Sequence, residues 1–131
     1  MRFAIRRSGV WAPVFTVFGM SSKSSFVDLD VDRGTFHVKA GIWFDETFAL
    51  DEVESVSPST WPWWGGLGVK LGPGSSVGVV ASGDGVVAIR FRRPQPMRVL
   101  LVVDRPELRV SLEDPDGFMR ELRNAARLAA A

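Results

Sequence analysis

Apolar and polar residues alternate along most of this chain, with the two-residue period of β-strands. In residues 26–32, Val27, Leu29 and Val31 interleave with Asp28, Asp30 and Asp32, and after Asp32-Arg33-Gly34 the alternation resumes in Thr35-Phe36-His37-Val38-Lys39. Successive strand side chains point to opposite faces, so these runs predict a hairpin with one buried and one solvated face. Ile42-Trp43-Phe44 and Thr47-Phe48-Ala49-Leu50 have the aromatic and β-branched content of two further strands. Residues 51–56 read as a short turn or strand closed by Pro58. Eight of the 13 glycines fall between Gly65 and Gly85. Among them lie strand candidates at 69–71 and 77–81, and Ser82-Gly83-Asp84-Gly85 predicts a tight hairpin into residues 86–92. There Val87, Ile89 and Phe91 share one face while Ala88, Arg90 and Arg92 share the other. Arg93-Pro94-Gln95-Pro96 predicts a loop, residues 99–103 a continuous apolar strand, and 108–112 a further short one.

The period changes only at the end. Asp114 suits a helix N-cap, Pro115 the first helical position and Asp116 the positive end of the helix dipole. Phe118, Met119, Leu122, Ala125, Ala126 and Ala129 recur at helical spacing, with Arg120, Glu121, Arg123 and Arg127 off that stripe. Gly117 costs the first turn about 1 kcal/mol relative to alanine, so packing of Phe118 is expected to hold it. The alanine-rich end past Arg127 is expected to fray. Eight or nine short strands and one helix predict an all-β barrel or sandwich with a helical plug.

With 131 residues the chain makes one domain, and size scaling lets it bury roughly two-thirds of its unfolded surface without disulfides or a structural metal. No cysteine is present, which removes thiol nucleophiles and thiolate zinc sites; a single histidine removes metal sites that need two imidazoles. Net charge is +1, so no global field draws in nucleic acid, and any electrostatic function needs a local patch. Arginine outnumbers lysine 13 to 3, which fits bidentate anion recognition and equally the coding bias of a G+C-rich genome. Arg6 and Arg7 ahead of residues 10–20 imitate an export signal, but Pro13 interrupts the run and no A-x-A site follows, so the segment reads as an early strand. No apolar stretch approaches the roughly 18–20 residues of a spanning helix, and a soluble, cytoplasmic protein is expected.

The order of Gly34-Thr35-Phe36-His37-Val38, Phe48-Ala49-Leu50-Asp51-Glu52-Val53, the Trp-Gly segment Trp63-Trp64-Gly65-Gly66-Leu67-Gly68-Val69-Lys70, Gly85-Val86-Val87-Ala88-Ile89-Arg90, and Val110-Ser111-Leu112-Glu113-Asp114-Pro115 leading into a helix resembles bacterial pleckstrin-homology-like domains across roughly residues 26–123. The resemblance implies a split barrel of two nearly orthogonal antiparallel sheets, with the C-terminal helix over one open end. It implies a binding or assembly module and supplies no catalytic residues. Residues 1–25 then form an additional N-terminal strand region, 26–112 the barrel and 114–128 the helix.

Several local patterns imitate known chemistry. Asp28-Leu29-Asp30-Val31-Asp32 is calcium-loop-like, but the loop glycine would have to stand where Arg33 is, and the twelfth position is Lys39. Same-face strand residues about 6.6 Å apart do not converge on one ion, so a solvated acidic face is the better reading. Gly66-Leu67-Gly68-Val69-Lys70-Leu71 misses the third glycine of a dinucleotide fingerprint, and Gly72-Pro73-Gly74-Ser75-Ser76 lacks the Gly-Lys pair of a phosphate loop; no cofactor is expected. His37, the only candidate general base, shares a face with Thr35 and Lys39, and no G-x-S-x-G turn supplies a nucleophile.

Two functional readings follow. In the first, the chain is a non-enzymatic protein-binding or self-association module that uses a sheet edge or the Trp61-Pro62-Trp63-Trp64 loop. In the second, it is a ligand-binding or peripheral membrane domain in which Trp61, Trp63 and Trp64 insert while Lys70, Arg90, Arg92, Arg93 and Arg98 engage lipid head groups or another anionic ligand.

Overall fold

The alternating first half of the chain folds as an antiparallel meander. The computed structural model describes residues 1–5, 25–40, 44–59, 68–71, 76–80, 85–99 and 101–130. Within them β1 (Arg2–Ala4), β2 (Ser25–Asp30), β3 (Thr35–Ala40) and β4 (Phe44–Ala49) form a four-stranded sheet in the order β1-β2-β3-β4. The β2–β3 hairpin is the predicted one, with Val27 opposite Val38 and Leu29 opposite Phe36. Its turn is closed by the Gly34 N–H donating to the Val31 carbonyl at 3.2 Å and the Arg33 N–H donating to Asp30 Oδ1 at 3.2 Å. Gly34 sits at φ 68°, a conformation that a Cβ would strain. Phe44 and Phe48, expected in separate strands, belong to one; Ile42 and Trp43 lie outside the described residues. Leu50 begins a 3-10 turn (Leu50–Glu52) whose first N–H donates to the Gly34 carbonyl at 2.8 Å.

A second sheet contains β5 (Val53–Pro58), β6 (Gly68–Leu71), β7 (Ser76–Val80), β8 (Val86–Val99) and β9 (Leu101–Ser111), in the order β5-β8-β9-β7-β6. Three local expectations are corrected here. The segment ending at Gly85 does not close a hairpin between its flanking strands, because β9 lies between β7 and β8, with β7 parallel to β9. β8 is already paired on both sides, to β5 and to β9, which leaves β7 the free edge of β9.

Arg93-Pro94-Gln95-Pro96 lies within β8 and not in a loop. Its ladder is irregular: Arg90 pairs with Glu107 and the next pair is Gln95 with Arg105, five steps on β8 against two on β9. Pro94 and Pro106, which have no N–H to donate, fall inside this bulge. The apolar run 99–103 is no single strand either, since Val99 ends β8 and pairs with Leu101, the first residue of β9. A run with no polar residue has no period to mark its reversal.

The result is mainly β, two sheets and a C-terminal helix; among the described residues the sheets remain separate ladders and do not close into a barrel. One corner is tied by a bridge between Ile5 and Leu112 and by the Glu113 N–H donating to the Ala4 carbonyl at 3.1 Å. Between the sheets lies one core that includes Val27, Phe36, Val38 and Phe48 from the first and Val77, Val87, Ile89, Phe91, Leu108 and Val110 from the second.

The helix α1 (Pro115–Ala130) packs on the 3-10 turn, β5 and β8. Phe118, Met119, Leu122 and Ala125 are buried as their spacing predicts, and the helix continues past Arg127 to Ala130. Asp114 caps it, accepting the Gly117 N–H on Oδ1 at 3.1 Å. A Cβ at Gly117 would collide with that carboxylate, so glycine in the first turn gives the cap its room.

Candidate binding groove

Strand parity sends Arg90 and Arg92 to the solvent side of β8, where Arg90 and the neighbouring Arg93 each meet a different carboxylate. Arg90 lies 4.0 Å from Glu107 Oε1, a carboxylate it shares with Arg109 at 3.4 Å. Arg93 grips Glu52 with both Nε (3.2 Å) and Nη2, the planar fork that suits a carboxylate. Arg98 stands opposite Val102 in the β8–β9 ladder, while Lys70 stands opposite Gly78 in β6, with β9 and β7 between its strand and β8. Trp61, Trp63 and Trp64 lie outside the described residues.

The Arg93 hydrogen bonds hold the Glu52 carboxyl below its ordinary value; partial desolvation opposes this, and the charges of Arg93 and Arg92 add to it. The same bonds raise the Arg93 guanidinium further. Because the folded-state pKa is the lower one, the pair's contribution to stability is complete above the unfolded value near 4.5 and is lost as pH falls through the depressed folded value. Thermal unfolding followed from pH 7 to pH 3 should therefore show a steeper acid loss in the parent than in Glu52→Gln. Parallel curves would show that the pair contributes nothing.

Arg92 takes a different direction from its neighbours. Its Nε donates to the Asp51 carbonyl at 3.2 Å, and it lines an open groove of 530 Å³ between β5 and α1. Arg123 and Arg127 line the same groove from the helix, and Val53, Val56 and Ala126 give it an apolar surface. Arg123 is anchored by Nη2 donating to the Val56 carbonyl at 2.9 Å, which uses one of a guanidinium's five N–H donors. Among the described residues no carboxylate comes within 4.0 Å of the charged nitrogens of Arg92, Arg123 or Arg127, whereas Arg2, Arg33, Arg90, Arg93, Arg109 and Arg120 each have one. Among the described residues Glu54 is the only acidic one lining the groove, which makes that lining cationic in a chain of net charge +1.

Sequence reasoning set Arg123 and Arg127 off the apolar stripe of the helix and gave them no role. Their i, i+4 spacing placed them side by side, but nothing in the sequence announces that β5 is a sheet edge beside α1. That edge is itself protected. Ser59 N–H donates to the Val86 carbonyl, so by alternation the backbone polar groups of Ser57 and Ser55 point to β8 while those of Val56 and Pro58 point away from the sheet along its edge. Pro58 has no N–H, the Val56 carbonyl is taken by Arg123, and the register shifts between Val53 and Ser55. Such an edge offers few groups to an added strand, which leaves recognition to the side chains.

On the outer face of the first sheet, Asp28 sits 3.6 Å from the N-terminal amine and 3.6 Å from Arg2, and Asp30 is 3.5 Å from Arg33. These ion pairs make it the solvated acidic face expected. His37 is hydrogen-bonded to Asp45 and stands edge-on to Phe26, whose ring Arg2 covers at 3.9 Å. A carboxylate is therefore present, but among the described residues no serine is hydrogen-bonded to His37, and the pair lies on the open face of a sheet.

Comparison with protein families, curated proteins and solved structures finds no match to this chain. No helix among the described residues is long and apolar enough to cross a membrane.

Proposed function

We propose that this chain is a non-enzymatic, pleckstrin-homology-like binding module that holds an acidic protein segment in the groove between β5 and α1. The observation that carries this reading is the set of three guanidinium groups, from Arg92, Arg123 and Arg127, that share an apolar-lined groove without a carboxylate partner among the described residues. A desolvated anchor beside unneutralised guanidinium groups suits a segment in which carboxylates flank an apolar residue. The four-stranded meander, the antiparallel β5-β8-β9 set and the helix that follows β9 support the pleckstrin-homology-like assignment.

The test is fluorescence anisotropy with a labelled peptide that alternates Asp with Val, in parallel with sedimentation of phosphatidylserine vesicles. Binding of the peptide should weaken as salt is raised, and should weaken at least about tenfold in the Arg123→Glu/Arg127→Glu double variant, from charge reversal at two contacts. Peptide binding indifferent to that variant, or vesicle binding in the absence of peptide binding, would overturn the reading.

A further inference from the structure

We infer that the acidic segment is supplied by a second copy of this chain, whose β2–β3 turn seats in the groove in a closed two-fold dimer. The inference rests on the proposed groove and names its occupant. Val31, at the tip of the turn, is 53% exposed, one of two large hydrophobic residues so exposed among the described residues. It stands between Asp30 and Asp32 and shares an open cleft of 490 Å³ with Asp32, Asp51, Ala125 and Arg33, the one cation among the described lining residues. Asp30 is paired with Arg33, but among the described residues no cation comes within ion-pair distance of Asp32 or Asp51. The described surface thus carries an apolar tip beside two carboxylates, Asp32 and Asp51, that have no ion pair among the described residues, and a groove with an apolar lining and three guanidinium groups that likewise have none.

Position makes the two features self-complementary. The acidic cleft reaches α1 at Ala125, and the basic groove reaches it at Ala126 and Arg127, so knob and groove lie on either side of one helix. A two-fold axis outside the protomer, running alongside α1 and roughly parallel to it, brings each copy's turn to the other copy's groove, and the contact is made twice. Val31 then covers Val53, Val56 and Ala126, while Asp32 and Asp51 approach Arg123, Arg127 and Arg92. A head-to-tail contact between the same surfaces would leave an unfilled groove at one end and an unused turn at the other; the two-fold arrangement uses both.

The experiment is sedimentation equilibrium of the full chain between roughly 10 and 300 µM, at low and high salt. The parent should pass from monomer toward dimer, with no larger species, and return to monomer in high salt. Asp32→Arg and Arg127→Asp, both at exposed positions without an ion pair among the described residues, should each weaken the dimer by more than about tenfold through like-charge contact while the monomer keeps the parent's far-UV circular dichroism. Mixing the two variants should restore association, since each then offers what the other lacks. A parent that stays monomeric while the Asp-Val peptide still binds the groove would overturn the inference and leave the proposed function standing. A monomer that also ignores the peptide would overturn both. A dimer unaffected by either charge reversal would overturn the inference alone.

Discussion

Phe36→Ala should lower the unfolding free energy by about 3–5 kcal/mol, a large part of the roughly 5–15 kcal/mol available to a domain of this size. Phe36 is fully buried on β3 and stands directly opposite Phe48 on β4, with ring centroids 5.3 Å apart. Across the core, Phe91 of β8 stacks on Phe36 at 6.2 Å with 5° between the ring planes, and lies 5.0 Å from Phe48. The three rings therefore join the two sheets, and removing the central one forfeits two aromatic contacts and opens a void between layers that are otherwise separate ladders. Phe36→Leu, which keeps much of the volume, should cost less than half as much. Urea unfolding at constant slope measures both variants. A loss below about 1 kcal/mol for the alanine variant would show that the sheets are held together elsewhere.

How much of this was legible depended on whether a feature is local. The β2–β3 hairpin could be read because its period, its Gly34 turn and its two faces all lie within one short window. The Asp114 cap and the Phe118-Met119-Leu122-Ala125 stripe were equally local. The parity of Val87, Ile89 and Phe91 against Ala88, Arg90 and Arg92 gave the buried side of β8 correctly, although Ala88 on the outer side is buried as well. What failed was pairing. A glycine-rich link looks the same whether the strand that follows returns beside its predecessor or crosses to another edge, and β7 pairs with β9, about 30 residues further along the chain. The arginine trio was illegible for a related reason: Glu107 meets Arg90 and Glu52 meets Arg93 through space, while Arg92 shares its groove with Arg123 and Arg127, about 30 residues further along the chain.

Phe118→Ala should be comparably costly, about 3–5 kcal/mol, and should also abolish binding at the groove. Phe118 is fully buried in the first turn of α1, and its ring meets that of Phe3 on β1 edge to face, at 5.2 Å and 77°. One residue thus joins the C-terminal helix to the edge strand of the first sheet, while Leu122 and Ala125 extend the same apolar stripe one and two turns further along the core. Helices of this length are marginal in isolation and depend on packing of the apolar face, so loss of the Phe118 anchor is felt along all of α1. The helix supplies Arg123, Ala126 and Arg127, and the Arg123 bond to the Val56 carbonyl requires it to stay beside β5. Undocking α1 therefore removes one wall of the groove and two of its three guanidinium groups. Far-UV circular dichroism during urea unfolding should show an early helical loss in the variant and a single transition in the parent, and the labelled peptide should show no rise in anisotropy with the variant. If the variant keeps its helix and its peptide affinity while losing less than about 1 kcal/mol, α1 is held by contacts other than the Phe3–Phe118 pair, and the groove does not depend on that anchor.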